Sequence, residues 1–475
     1  MKKIIIYLLM LALPLSCSDS EANDTDGSNE DTQEETVKIL ASVSDPIVSE
    51  SVTFKLEGDL TNVTSVIWMF GDKNVVTSGA GEAVTHYYEE SGDYTINAAM
   101  KRTGAKMTQV SLGLTVYPAS ATIALSNSYP AKMEEVRVSI DGTQNISKVD
   151  WSFGDGTATE TITDASKQLT HQYSDEGSFT LSAALSFTSG ETKTLTHNIE
   201  VTGNSLSWSC KNFDKSKIWI MAHRGNTNAG YGLAPNSLAG YQKCIDLGCV
   251  DFIETDAQIT KDGEVICIHD NYLSRFTDYS SYATDPGYVS QHTLAEIKKY
   301  HLVTTDGTVT EESVPTLKEV LTRFRGKVWF NIDKCDQSDV DIEKVYNVVK
   351  ECGCLDRVQF YISTATDKSK WLSEQDIPGI IAPHANSQAQ LTALSIFSPT
   401  YMVQLSGNVT NANQAWIGTV NQSYLSVTNV LDDRGTAFLS GDYSFVSNLV
   451  AWGINMIQCD YPLEMNAYLE KQGKR

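Results

Sequence analysis

Residues 221–270 read MAHRGNTNAGYGLAPNSLAGYQKCIDLGCVDFIETDAQITKDGEVICIHD. Three polar groups punctuate this stretch, and each follows a short apolar run. Lys217–Ala222 reads as a buried strand that ends at His223-Arg224-Gly225. Val250–Ile253 leads into Glu254-Thr255-Asp256, and Glu264–Ile268 leads into His269-Asp270. Strand alternation puts Glu254 and Asp256 on one face and Thr255 on the other. Two histidines, an arginine and a same-face carboxylate pair, all at strand ends, suit metal-assisted phosphate chemistry. Carboxylates hold a hard divalent cation. A guanidinium grips phosphate oxygens as a bidentate fork, and imidazoles exchange protons near neutral pH.

Outward from this stretch, residues 204–475 alternate apolar runs of four to six residues with helical patterns. Strands are expected near 217–222, 250–256, 327–333, 357–363, 378–382, 400–405, 436–440 and 454–459. Helices are expected over Leu238–Leu247, Leu317–Arg325, Val340–Cys352, Ala389–Leu394 and Phe445–Trp452. Eight strands with intervening helices fit a TIM barrel, whose active site lies at the C-terminal strand ends, where the polar groups fall. Residues 264–268 are then an extra strand. Residues 271–313 form a long insertion with Arg275, Tyr279, Tyr282 and Tyr288, expected to cover the mouth and help choose the substrate.

The ordered set resembles the opening of the glycerophosphodiester phosphodiesterase family: H-R-G, then P-E-N-T or similar, E-x-D, a K-D-G turn and H-D. Here these are His223-Arg224-Gly225, Asn236-Ser237, Glu254-Thr255-Asp256, Lys261-Asp262-Gly263 and His269-Asp270. The likeness continues through Val314–Leu321 and Asn331-Ile332-Asp333 and closes at Cys459-Asp460-Tyr461-Pro462. It implies metal-dependent hydrolysis of glycerophosphodiesters to glycerol 3-phosphate and an alcohol. By that resemblance His223 and His269 are the acid–base pair. Glu254, Asp256 and Asp333 hold one divalent cation, Ca²⁺ or Mg²⁺. Arg224, Asn236 and Lys334 contact phosphate or substrate.

Two departures stand out. The family's glutamate before Asn236 is missing, which leaves Asn236 to orient the site by hydrogen bonds. The family's E-x-K becomes Asp333-Lys334, and strand alternation aims Lys334 away from the face of Asp333. Asp460 reads either as support for a catalytic group or as a turn former.

Upstream, residues 37–203 are short alternating runs bounded by Gly, Asp, Asn and Ser, an all-β pattern. The pattern repeats. Trp68-Met69-Phe70-Gly71-Asp72 recurs as Trp151-Ser152-Phe153-Gly154-Asp155, and His86-Tyr87-Tyr88 as His171-Gln172-Tyr173. Trp and Phe, two apart, face one core in each copy, and Gly-Asp makes the turn. The repeat resembles the PKD domain, a small immunoglobulin-like sandwich, and implies adhesion or spacing, with glycan or protein as the possible ligand. His86 and His171 read as structural.

Residues 1–17 combine Lys2 and Lys3 with an apolar run that ends at Cys17, too short to span a bilayer. The segment resembles a bacterial lipoprotein signal, although Leu13 stands four residues before Cys17 rather than three. Residues 18–36 are acidic with no basic residue and no aromatic, a flexible tether. That run also resembles the surface-export signal of Bacteroidetes lipoproteins. The expected protein is therefore lipidated at Cys17 and held at the cell envelope, on the outer-membrane surface.

The expected order is signal 1–17, tether 18–36, sandwiches 37–118 and 119–203, and barrel 204–475. The net charge of −23 argues against nucleic acid or an anionic membrane surface as a partner. Of nine cysteines, eight lie in the barrel, and Cys352-Gly353-Cys354 lacks a second pair at zinc-site spacing. Two other functions fit less of the pattern. One is a phospholipase D-like or phosphoinositide-cleaving enzyme on the same scaffold. The other is a non-catalytic surface lipoprotein that binds glycan or protein.

Overall fold

The computed structural model describes residues 37–117, 121–142, 145–188, 190, 192–225, 231–362, 367–394, 399–405 and 413–475. Cys17, the signal-like segment and the acidic stretch lie outside the described residues. The chain divides into two compact units after Tyr117.

The first unit holds one β-sandwich. A three-stranded sheet of Lys38–Ala41, Val52–Glu57 and Val84–His86 faces a four-stranded sheet of Val75–Ser78, Val63–Met69, Gly92–Arg102 and Thr108–Val116. The second unit begins with a sandwich of the same strand order, with Trp151 and Phe153 where the first has Trp68 and Phe70. All four rings are buried. The repeated histidines tie each turn to its core. His171 Nε2 lies 2.7 Å from Asp155 Oδ2 and its ring stacks on Phe153 at 3.8 Å. His86 does the same with Asp72 and Phe70.

The rest of the second unit is a parallel barrel. Its strands, numbered in chain order, are β1 (Trp219–Ala222), β2 (Phe252–Ile259), β3 (Trp329–Asp333), β4 (Val358–Ile362), β5 (Ile381–Pro383), β6 (Met402–Gln404), β7 (Leu425–Val430) and β8 (Met456–Cys459). They pair in the order β5-β4-β3-β2-β1-β8-β7-β6. Parallel bridges from Ile381 to Thr400 and from His384 to Gln404 close the ring. Val265–Cys267 pairs antiparallel with β2 as the expected extra strand. Helices cover the outside, and two apolar clusters fill the layer between helices and strands.

The bore is graded in polarity. At the N-terminal strand ends Phe252, Met402, Leu425, Val427 and Met456 pack with Trp219 and Trp329, and helix Leu206–Lys211 adds Leu206 and Cys210 to this floor. One step up, Met221, Gln458 and Asn429 share a register, as do Glu254, Asn331 and Gln359. Carboxylates and histidines follow at the mouth.

One expected strand is wrong. Residues 436–439 belong to helix Asp432–Leu439, which Ser440 caps, and the seventh strand is Leu425–Val430. In the helix Phe438 is buried while Leu439 is exposed, a helical rather than strand pattern. The true strand was hidden because Ser426, Thr428 and Asn429 interrupt its apolar run. The eight described cysteines are free and buried, and burial pushes the thiols of Cys244, Cys267 and Cys354 up to about 12.

The second sandwich docks on the barrel through charge. Arg357, fully buried just before β4, donates to the carbonyls of Tyr129, Gly353 and Thr202. Arg137 forms a bidentate pair with Asp376 at 2.9 and 2.8 Å. Nearby, Glu134 accepts from Asn127 Nδ2 at 2.9 Å and Ala131 N–H at 2.8 Å. Burial, with Asp356 close by, pushes its carboxyl up to about 7. The folded state therefore binds this proton more tightly than the unfolded chain, whose carboxyl has an ordinary value near 4.5. Stability is expected to fall as pH rises from about 4.5 to about 7, by roughly 1–3 kcal/mol, and then to level off. Denaturant midpoints across pH 4.5–8 check this, and Glu134→Gln should flatten the slope.

Candidate active site

Each site residue is placed by a local feature of a strand end. β1 runs directly into a single turn at His223–Gly225, in which Arg224 adopts φ 51°. That left-handed backbone costs energy for a residue with a Cβ, and it turns the Arg224 N–H onto Glu254 Oε2 at 2.8 Å. Gly225 follows at φ 69°, and a methyl group there would lie 2.2 Å from the Tyr241 ring. Asn236, at φ 56°, donates its N–H to the Arg224 carbonyl at 2.8 Å. Ser237 then caps helix Leu238–Asp246.

Asn236 is buried, and its Nδ2 donates to Asp256 Oδ2 at 2.8 Å. The Tyr241 hydroxyl donates to Asn236 Oδ1 at 2.9 Å and lies 2.6 Å from Thr255 Oγ1. The amide therefore presents Asp256 rather than facing open space.

Glu254, Asp256 and Asp333 converge, with one ligand atom from each within 4.8 Å of the others. Burial, with Asp256 and Asp333 close, pushes the Glu254 carboxyl well above the usual range. Burial opposes ionisation of Asp256 too, but Lys334, His269 and Arg224 hold it below its ordinary value. Asp256 Oδ1 is buried with no hydrogen-bond partner. A buried carboxylate oxygen without a hydrogen bond, in a three-carboxylate cluster, fits a hard divalent cation, which would also relieve the strained ionisation of Glu254.

The two histidines are held alike. His223 Nδ1 lies 2.8 Å from Asp460 Oδ1, and His269 Nδ1 lies 2.5 Å from Asp270 Oδ1. Each spends Nδ1 on a carboxylate, which leaves Nε2 for proton transfer. Burial lowers the pKa of His269, aided by Arg224 and Lys334. Arg224 Nε, 3.6 Å from Asp256 Oδ2, is buried without a hydrogen-bond partner.

Lys334 corrects the alternation argument. Its backbone turns left-handed at φ 68°, so the strand period ends at Asp333 and the side chain swings back. Lys334 Nζ lies 2.7 Å from Asp333 Oδ2 and 3.5 Å from Asp256 Oδ1. Those two carboxylates keep the ammonium protonated although burial opposes it.

The insertion contributes a ring not singled out from the sequence. Phe276 meets His269 edge-on at 5.9 Å and stacks against the Arg224 guanidinium at 5.9 Å. Arg275 reaches Asp270 at 3.4 Å. Tyr279 packs into the insertion's own core, while Tyr282 and Tyr288 are exposed.

A parallel barrel with paired imidazoles, a guanidinium and a carboxylate cluster at its mouth defines a phosphodiesterase-type α/β barrel. Residues 223–457 match the glycerophosphoryl diester phosphodiesterase family, so the chain carries a domain of that family. Residues 121–203 match the PKD domain. The Bacillus subtilis protein YhdW, provisionally named a glycerophosphodiester phosphodiesterase, is 27% identical over 54% of this chain and 98% of its own length. A glycerophosphodiester phosphodiesterase of the same species is 37% identical over 23% of this chain and 36% of its own. A glycerophosphoryl diester phosphodiesterase structure from Parabacteroides distasonis covers 57% of this chain and 93% of its own, with TM-score 0.48 and 17% identity.

The turn that carries His223 and Arg224 has no room for a side chain at its end. Gly225→Ala is expected to lower stability by about 1–3 kcal/mol through the clash with Tyr241. Urea denaturation followed by tryptophan fluorescence measures it.

Proposed function

We propose that the barrel hydrolyses glycerophosphodiesters to glycerol 3-phosphate and an alcohol at the mouth formed by His223, Arg224, Glu254, Asp256, His269 and Asp333. The supporting observation is the pair of imidazoles, each oriented through Nδ1 by its own carboxylate, beside one buried carboxylate cluster. Glu254, Asp256 and Asp333 would hold a divalent cation, Mg²⁺ or Ca²⁺, which when bound supplies Lewis-acid polarisation of a phosphoryl oxygen. Arg224 takes a second phosphoryl oxygen and stabilises the charge that builds there. Lys334 favours the ionised form of Asp256 and adds positive charge beside the phosphate.

His269, kept neutral near pH 7 by its burial, accepts the proton of the attacking hydroxyl through Nε2. The phosphorus–oxygen bond to the alcohol breaks, and His223 Nε2 gives its proton to the leaving alkoxide. Asp270 orients His269 through Nδ1 and leaves its Nε2 free to accept, and Asp460 accepts from Nδ1 of His223, whose Nε2 carries the proton to be given. Phe276 shields Arg224 and His269 from water on the insertion side.

His269→Ala is expected to lower kcat about 10²–10⁴-fold on any diester. His223→Ala should lose as much on alkyl diesters but little on a p-nitrophenyl diester, whose leaving group needs no proton. EDTA should abolish release of glycerol 3-phosphate, and Mg²⁺ or Ca²⁺ should restore it. No metal-dependent cleavage of any diester by folded protein would overturn the reading.

The same proposal places the enzyme at the cell envelope, with lipid on Cys17 and residues 18–36 as tether. Its basis is the charged, apolar and cysteine-ended sequence of residues 1–17. Cys17→Ser is expected to move the protein from the membrane pellet to the soluble fraction, and equal pelleting of both forms would refute the anchor.

A further inference from the structure

We propose that the cleft between the second sandwich and the underside of the barrel binds a neutral saccharide, with Trp208 as the stacking surface and Glu135, Gln172 and Lys211 as hydrogen-bonding partners. The site lies at the end of the barrel opposite the histidines and is independent of the chemistry described above.

The cleft has a volume of about 400 Å³, within the range of small-molecule sites. The sandwich lines it with Glu135, Arg137 and Gln172. Helix Leu206–Lys211 adds Trp208 and Lys211, and the segments that lead into β4 and β6 add Asp356 and Tyr401. These walls are fixed without a ligand. Arg137 clamps the sandwich to Asp376, before β5, through two parallel hydrogen bonds. Asp356 accepts from the Ser205 hydroxyl, from the Ser207 hydroxyl at 2.9 Å and from the Ser207 N–H at 2.8 Å. That pins the start of the helix. Leu206 and Cys210, on one face, enter the barrel floor. Trp208 falls on the opposite face and is left 41% exposed in the wall of the cleft. A cleft already ordered in this way loses little freedom when it binds.

The charge pattern selects a neutral ligand. Arg137 is spent on Asp376, and Asp356 on the serines. Glu134 is buried and accepts from Asn127 and Ala131. What faces outward is one carboxylate, Glu135, and one ammonium, Lys211. An anion would meet a lining in which carboxylates outnumber cations four to two. A cation would find the Tyr401 ring already taken, since Lys211 Nζ lies 5.6 Å from its centre. A hydrocarbon would strip water from Glu135, Gln172 and Lys211 and return no hydrogen bond. A sugar ring offers an apolar C–H face to the indole and hydroxyls that both donate and accept. Glu135 accepts from such hydroxyls and Lys211 donates to them. Gln172, steadied by the Met133 carbonyl at 3.1 Å, can do both.

The test is titration calorimetry on the full chain in EDTA. The probes are linear tetrasaccharides of β-glucose, α-mannose and β-N-acetylglucosamine, beside tetragalacturonate, tetralysine and tetraproline. At least one neutral sugar is expected to bind saturably. Trp208→Ala should weaken that binding at least about tenfold. Glu135→Ala, on an exposed side chain of the other wall, should weaken it as well and decides the matter if Trp208→Ala melts earlier than wild type. His269→Ala should bind the sugar as wild type does. No binding of any neutral sugar overturns the site, and so does binding that both wall variants keep. Loss of binding in His269→Ala would put the sugar at the mouth and overturn it too. Binding of tetragalacturonate, tetralysine or tetraproline alone overturns the neutral-saccharide assignment.

Discussion

Three carboxylates share a buried corner of the barrel mouth, and that concentration of negative charge is the constraint from which the site follows. Like charges at this spacing, buried from solvent, disfavour one another's ionisation, and Glu254 registers the conflict most. The protein answers with cations on one side, since Lys334 reaches both Asp333 and Asp256 and Arg224 approaches Asp256. It answers with dipoles on the other, through the Asn236 amide and the Arg224 N–H. Even so, Asp256 keeps a buried oxygen without a hydrogen bond. The compensation is incomplete in the direction a divalent cation would complete.

The same constraint accounts for the backbone. Arg224, Asn236 and Lys334 each adopt a left-handed conformation that a side chain with Cβ rarely takes. Each bends its strand end or loop back toward the cluster. Without those turns Arg224 and Asn236 could not bring N–H groups to the carboxylates, and Lys334 would follow strand alternation out of the bore. Strain at three positions is thus coupled to one electrostatic need, and the surrounding packing, such as Tyr241 against Gly225, fixes it in place.

Much of this was legible in the sequence, for physical reasons that also mark where legibility ends. Glu254 and Asp256 were legible because a strand period is rigid. The tryptophan–phenylalanine repeats of the sandwiches were legible because a buried ring pair needs the same spacing each time. Lys334 was misjudged because one left-handed residue cancels the period, and nothing in Asp333-Lys334-Cys335 announces it. The strand Leu425–Val430 was missed because it lines the bore with Asn429, and polar residues in a barrel interior erase the apolar run by which buried strands are recognised. Phe276 reaches the site from a long insertion, where sequence spacing carries no information on proximity.

The second sandwich sits on the barrel in a way that respects this division of the bore. Every link just described for it meets the N-terminal side of the strands. Arg357 and Gly353 precede β4, Asp376 precedes β5, and the Trp329 indole at the start of β3 donates to the Asn204 carbonyl. Barrel chemistry belongs to the opposite end. A buried arginine spending its donors on three backbone carbonyls, from both the sandwich and the barrel, makes a joint that a flexible linker would not need. The sandwich therefore braces the apolar floor and leaves the charged mouth clear.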